Sequence, residues 1–290
     1  MADDVCFVGL GRMGYPLALK LLNSGVSLRA WDTQETARQA WRAAGGVVCE
    51  AAELGNPEAS VCILCLPTPD GVEALLQRWE KGGPNTCRLV VDMGTTPPSV
   101  SRGFASRFDR LGIRYLDAPV TGGSLGAEKG RLCVMVGGDT DAFKLAEPWL
   151  ARLGGRVVHA GGSGSGSQLK AVVQFIYLSY NAAFALGARL GSEAGLPAES
   201  LWPVLLEGAC AHPLINARLD ALKDPESQSG FLVWRALKDL KGVEERDSAD
   251  PVAMQWLTQL ESVLHAAGAA EGMDVDIFDA LAPKLRKTVT

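Results

Sequence analysis

A glycine-rich turn near the N-terminus constrains this chain more than any other feature. Gly9-Leu10-Gly11-Arg12-Met13-Gly14 is a G-x-G-x-x-G. It follows the apolar run Val5–Gly9 and opens a helical pattern over Pro16–Asn23 that Gly25 stops. A second strand-like run, Ser27–Trp31, ends at Asp32, 18 residues after Gly14. In such a strand–turn–helix–strand unit each residue type has a reason. Gly9 permits the tight turn, Gly11 lets the backbone approach a pyrophosphate, and Gly14 lets helix and strand pack closely. Leu10, Arg12 and Met13 complete the loop, and the helix N-terminus turns its free N–H groups toward the phosphates. A carboxylate at Asp32 accepts hydrogen bonds from the adenosine ribose and repels a 2′-phosphate. The expected cofactor is therefore NAD over NADP. Arg29 and Arg38 are the nearby cations that would pull toward the phosphate. A ligand-free glycine turn is the alternative, and it explains neither the flanking elements nor Asp32.

The first half goes on in the same rhythm. A helix is expected over Thr33–Ala44, ended by Gly45-Gly46. Strands are expected at Val47–Cys49, Val61–Leu66 and Leu89–Met93, with a helix after Pro97-Pro98. Further strands follow at Arg114–Asp117, Leu132–Val136 and Arg156–His159. Strands alternating with helices predict a parallel sheet covered on both faces. Near residue 160 the pattern changes. After the Gly/Ser run at 161–166, helical periodicity dominates, punctuated at Gly195-Leu196-Pro197, Ala211-His212-Pro213, Asp224-Pro225 and Asp250-Pro251. We expect an α/β protein in two domains. Residues 1–162 form a Rossmann-type dinucleotide-binding domain with a parallel sheet. Residues 163–290 form an all-helical substrate and dimerisation domain, opened by a long interdomain helix from about Ser167. The Gly/Ser run reads equally as a linker or as a turn whose amides line a site.

Composition narrows the function. The 290 residues are 47% hydrophobic and 21% charged, an ordinary globular balance, and the net charge of −5 argues against a nucleic-acid partner. The three histidines, His159, His212 and His265, are too scattered for a metal site of the usual spacing, and no metal is expected. The seven cysteines lie mostly in apolar runs and read as reduced, buried thiols of a cytoplasmic protein. Cys62 and Cys65 have C-x-x-C spacing but no turn between them, which favours a buried strand over a redox or metal motif. No basic, cleavable leader is visible. Ala171–Leu190 is long and apolar, but its Gln174, Tyr177, Ser179, Tyr180, Asn181 and Arg189 fit a helix inside protein better than a membrane span.

Four separated motifs then carry a resemblance across nearly the whole chain. They are Gly9–Gly14; Asp117-Ala118-Pro119-Val120-Thr121-Gly122-Gly123 with Ala127 and Gly130; Gly164-Ser165-Gly166-Ser167-Gln168-Leu169-Lys170; and Leu237-Lys238-Asp239-Leu240. In these the chain resembles the β-hydroxyacid dehydrogenase family, which includes 3-hydroxyisobutyrate dehydrogenase and tartronate semialdehyde reductase. The resemblance implies a substrate turn at Thr121, Gly122 and Gly123 and a catalytic lysine at Lys170. It also implies cofactor contacts at Leu66, Pro67 and Thr95, and a Lys238 that closes over the cofactor. The family commonly has two asparagines three and four residues after the lysine; here they are Val173 and Gln174. Gln174 shares the face of Lys170 one turn on, as do Tyr177 and Asn181 further along, and the glutamine resembles the branch acting on four-carbon sugar acids.

The implied reaction is hydride transfer between NAD(H) and the 3-hydroxyl carbon, or its 3-oxo or semialdehyde form, of a small 3-hydroxy acid. The carboxylate rests on Thr121-Gly122-Gly123, Lys170 serves as general acid/base, and Gln174 orients the substrate. Two rivals share the architecture. An imine reductase usually has Asp or Tyr in place of Lys170, and a non-catalytic dinucleotide-binding assembly module tends to lose the lysine. The apolar content of the helical half, including Trp202, Phe231, Trp234 and Trp256, points to a homodimer or homotetramer.

Overall fold

The computed structural model describes residues 5–50, 59–82, 86–213, 215, 231–244 and 250–282. The chain divides into two compact units, Met1–Ala171 and Val172–Thr290.

The first unit is the expected Rossmann-type domain. Its strands are β1 (Val5–Val8), β2 (Leu28–Trp31), β3 (Val47–Val48), β4 (Val61–Leu64), β5 (Leu89–Asp92), β6 (Arg114–Asp117), β7 (Val120–Thr121), β8 (Cys133–Gly137) and β9 (Arg156–Gly161). They lie in the order β3-β2-β1-β4-β5-β6-β8-β7, with β9 beside β8. β1 to β6 are parallel; β8 runs antiparallel to β6 and β7. β1, β4 and β5 are buried along their whole length, which is why they read as unbroken apolar runs rather than as alternation. The helices are α1 (Gly14–Asn23), α2 (Glu35–Ala43), α3 (Pro69–Gly82), α4 (Pro98–Arg110), α5 (Gly123–Glu128) and α6 (Thr140–Leu153). α1 and α6 cover one face with Leu17, Leu21, Ala146 and Leu150. α3 and α4 cover the other with Leu76, Trp79, Phe104 and Phe108.

Cys6, Cys49, Cys62 and Cys87 share that second core, and all seven cysteines are thiols outside any disulfide. Cys62 lies inside β4, and burial pushes the Cys65 thiol just beyond it up to about 12, so neither offers a thiolate near neutrality. Among the described residues no group of three or more His, Cys, Asp or Glu side chains could hold a metal.

The helix α7 (Ser165–Glu193) starts in the first unit and continues into the second. It is long and apolar enough by composition to cross a membrane. Its buried Lys170, Gln174 and Asn181, however, are the signature of a helix cored in protein. The second unit adds α8 (Ala198–Glu207), α9 (Val233–Glu244), α10 (Pro251–Glu271) and α11 (Ile277–Leu281). The expected punctuation is physical at Asp250-Pro251, where the Asp250 carboxylate accepts the Val252 N–H at 2.7 Å and Pro251 takes the first helical position. Gly195, at φ +77°, follows α7, and Pro197 precedes α8. Asp224-Pro225 lies outside the described residues.

Candidate active site

The strand order reverses between β1 and β4, and in an open α/β sheet the crevice beyond the carboxyl ends of the strands at such a point receives the ligand. The Gly9–Gly14 turn leaves β1 here. A Cβ on Gly14 would lie 1.8 Å from the Gly9 carbonyl oxygen, so no other residue lets α1 start this close to the strand. A Cβ on Gly11 would meet nothing within 4 Å. That open space beside the backbone is what a pyrophosphate needs. Met13, at the N-cap of α1, offers no side-chain hydrogen bond to the first turn, so the helix start remains open to an anion. Arg12 is exposed on the loop and Leu10 is buried beneath it.

Asp32 directly follows β2. Its Oδ2 accepts the Leu10 N–H at 2.6 Å and its Oδ1 accepts the Gln34 N–H at 2.8 Å, so the carboxylate braces the glycine turn. The loops after β4 and β5 come close together. Leu66 and the exposed Pro67 follow β4, and the Leu66 carbonyl oxygen would be 3.0 Å from a Cβ on Gly94. Thr95 lies between two residues that bond the buried Asp92: the Gly94 N–H at 2.9 Å and the Thr96 hydroxyl at 3.1 Å. Tyr115 donates to the same carboxylate at 2.9 Å, and burial holds its phenol well above its ordinary pKa. The residues present fit a dinucleotide.

The second and third motifs come together within the first unit. Thr121 ends β7, and Gly122 and Gly123 follow at φ +124° and +67°, left-handed values that favour glycine. Lys170 sits on the second turn of α7. Only 8% exposed, it donates from Nζ to the Val120 carbonyl oxygen at 2.9 Å, one residue before Thr121. Asp117, missed as a functional position, explains that placement. Its Oδ1 accepts the Gly164 N–H and its Oδ2 the Ser167 N–H, both at 2.7 Å, fastening the start of α7 to the end of β6. Burial pushes the Asp117 carboxyl up, and the two N–H donors act against that. The Gly/Ser run is thus not a slack linker: the N–H of Gly164 within it and that of Ser167 just after it are both taken up by Asp117. A bond between the hydroxyls of Ser101 and Ser167 at 2.9 Å adds α4 to the joint.

In the second unit, Gln174 and Asn181 are buried, and Asn181 Nδ2 donates to the Tyr177 carbonyl oxygen at 2.7 Å. Gln174 Nε2 donates to Asp239 Oδ2 at 2.5 Å, and Lys238 Nζ is 3.1 Å from Asp239 Oδ1. Gln174 and Lys238 therefore share one buried carboxylate, a link their 64-residue separation hides in the sequence.

Comparison with known proteins identifies the family and the fold. Residues 4–162 match the family model described as the NAD binding domain of 6-phosphogluconate dehydrogenase. The chain is 32% identical over 270 residues to an NAD-dependent L-serine dehydrogenase of Pseudomonas aeruginosa, covering 85% of this chain and 86% of that protein. It superposes on Mycobacterium tuberculosis 3-hydroxyisobutyrate dehydrogenase, solved with L-serine, at a TM-score of 0.78 and 26% identity over 97% of this chain and 98% of the other. An imine reductase from a Pseudomonas species shares the fold at a TM-score of 0.63 and 20% identity, covering 100% of both chains. With an NAD-binding domain built on this turn and relatives matched along most of its length, the chain belongs to the β-hydroxyacid dehydrogenase family of NAD-dependent oxidoreductases.

Proposed function

We propose that the protein transfers a hydride between NAD(H) and the 3-hydroxyl carbon of a small 3-hydroxy acid, or its semialdehyde, with Lys170 as general acid/base. The observation that carries this reading is the buried Lys170 ammonium, 2.9 Å from the Val120 carbonyl oxygen and so beside the Thr121-Gly122-Gly123 turn. The turn's N–H groups and the Thr121 hydroxyl hold the substrate carboxylate. Lys170, neutral, takes the proton of the 3-hydroxyl; in reverse, its ammonium protonates the forming alkoxide. Bound NAD would supply the hydride acceptor, cradled by Gly9 to Gly14, Asp32, Leu66, Pro67 and Thr95. The Val120 carbonyl keeps Nζ from swinging away, and Asp117 fixes the helix that bears it.

Gln174 orients the substrate. One N–H of its amide goes to Asp239, which leaves a second N–H donor and the acceptor oxygen for a substrate hydroxyl. Lys238 closes over the cofactor. Relatives named for serine and 3-hydroxyisobutyrate both point to a carboxylate with a hydroxyl on its third carbon. We assign the second unit to substrate binding and to assembly as a homodimer or homotetramer in the cytoplasm. The half-exposed Trp256 and the exposed Ile176 and Leu190 support the assembly.

The test is a dehydrogenase screen with NAD and NADP against 3-hydroxyisobutyrate, 3-hydroxypropionate, glycerate, serine and threonate, with cyclic imines in parallel. NAD reduction by at least one hydroxy acid is expected. Imine reduction alone, or firm NADH binding with no turnover of any acid, overturns the reading.

A further inference from the structure

Arg38 lies in the second turn of α2, and its guanidinium folds back onto the end of β2. Nη1 donates to the carbonyl oxygens of Asp32 and Thr33, the latter at 3.1 Å. Nε donates to Glu35 Oε2 at 3.0 Å, and Nη2 makes a closer bond to the same oxygen. Four of the five N–H groups of the guanidinium are thereby committed. The Nε–Nη2 edge is a fork with which an arginine grips a phosphate through two parallel bonds, and the Glu35 carboxylate fills it. The other oxygen of Glu35 accepts Arg42 Nη1 at 3.0 Å, so one carboxylate is shared between two cations. Those cations hold the Glu35 carboxyl below its ordinary range.

The end of β2 is where this fold receives the adenosine ribose. A 2′-phosphate arriving there meets the Asp32 carboxylate and an arginine whose fork is taken. We propose that Glu35 is a cofactor-specificity residue, which denies Arg38 to a 2′-phosphate and so, with Asp32, sets the choice of NAD over NADP. The proposal rests on the assignment of Asp32 to the ribose. Glu35 is exposed and belongs to none of the four motifs, so replacing it disturbs neither the core nor the catalytic turn.

The test needs no substrate. NADH and NADPH are titrated onto the full-length protein by their own fluorescence. Glu35→Gln should tighten NADPH about five- to tenfold and leave NADH within about twofold, the scale of one partly screened phosphate contact. The gain should shrink at high salt. Arg38→Ala in the Glu35→Gln background should abolish it. Wild-type preference for NADH with unchanged NADPH affinity in Glu35→Gln overturns this proposal alone, as does a gain that survives Arg38→Ala. Wild-type preference for NADPH overturns the NAD reading and this proposal with it.

Discussion

Asp92 and Asp117 end β5 and β6, Asp32 directly follows β2, and each turns its carboxylate onto at least one backbone N–H of a loop. A carboxylate accepting N–H bonds in a buried setting is stabilising only while all its partners are matched. Asp117→Asn keeps one acceptor and points an amide donor at the other N–H. It should cost about 1–3 kcal/mol and lower Tm by several degrees in thermal unfolding; an unchanged Tm would refute the joint. Asp32 was legible because its place in the dinucleotide pattern is set by local spacing. The roles of Asp92 and Asp117 were not, although Asp117 stands inside a motif. The Gly164 and Ser167 donors lie 47 and 50 residues from Asp117, and only folding joins them. The Gln174–Asp239 bond was hidden for the same reason, and it fixes the amide by taking up one of its two N–H donors.

The strands of the parallel sheet were legible because a strand buried on both faces must be apolar throughout. β7 and α5 were not: two residues of strand and six of helix carry too little periodicity. In α6, Pro148 sits inside the helix and masks a pattern that Ala142, Ala146 and Leu150 otherwise display. The α3–α4 layer shows which contacts decide stability. Phe108 is fully buried, stacked on Tyr115 at 5.4 Å and edge-on to Trp79 at 5.7 Å. Phe108→Ala should cost about 3–5 kcal/mol in denaturant unfolding. Its neighbour Arg107 bridges Glu73 and Glu80 of α3 at the surface, where screening leaves an ion pair little weight, so Arg107→Ala should cost a small fraction of that. Both glutamates are held below their ordinary pKa by Arg107, so the pair stabilises above the unfolded value of about 4.3 and fades as pH falls through the lowered folded values. The wild type and Arg107→Ala should therefore converge in strong acid. A gap that widens there would contradict the assignment.

At the scale of the molecule, the first unit declares its chemistry through glycines and strand-end acids, whereas the second is known mainly by helical period and proline punctuation. That difference is physical. A phosphate-binding turn needs particular residues at fixed spacing, while a helical unit needs only an apolar face that many sequences supply. The reaction class was legible for that reason, and the choice among hydroxy acids was not. The claim on which the whole account turns is that the Lys170 ammonium moves the substrate proton. The most direct measurement is kcat of Lys170→Ala with the best hydroxy acid, alongside its NADH dissociation constant. The account predicts kcat lower by a factor of about 10²–10⁴ with NADH binding unchanged; a variant turning over at the wild-type rate would contradict it.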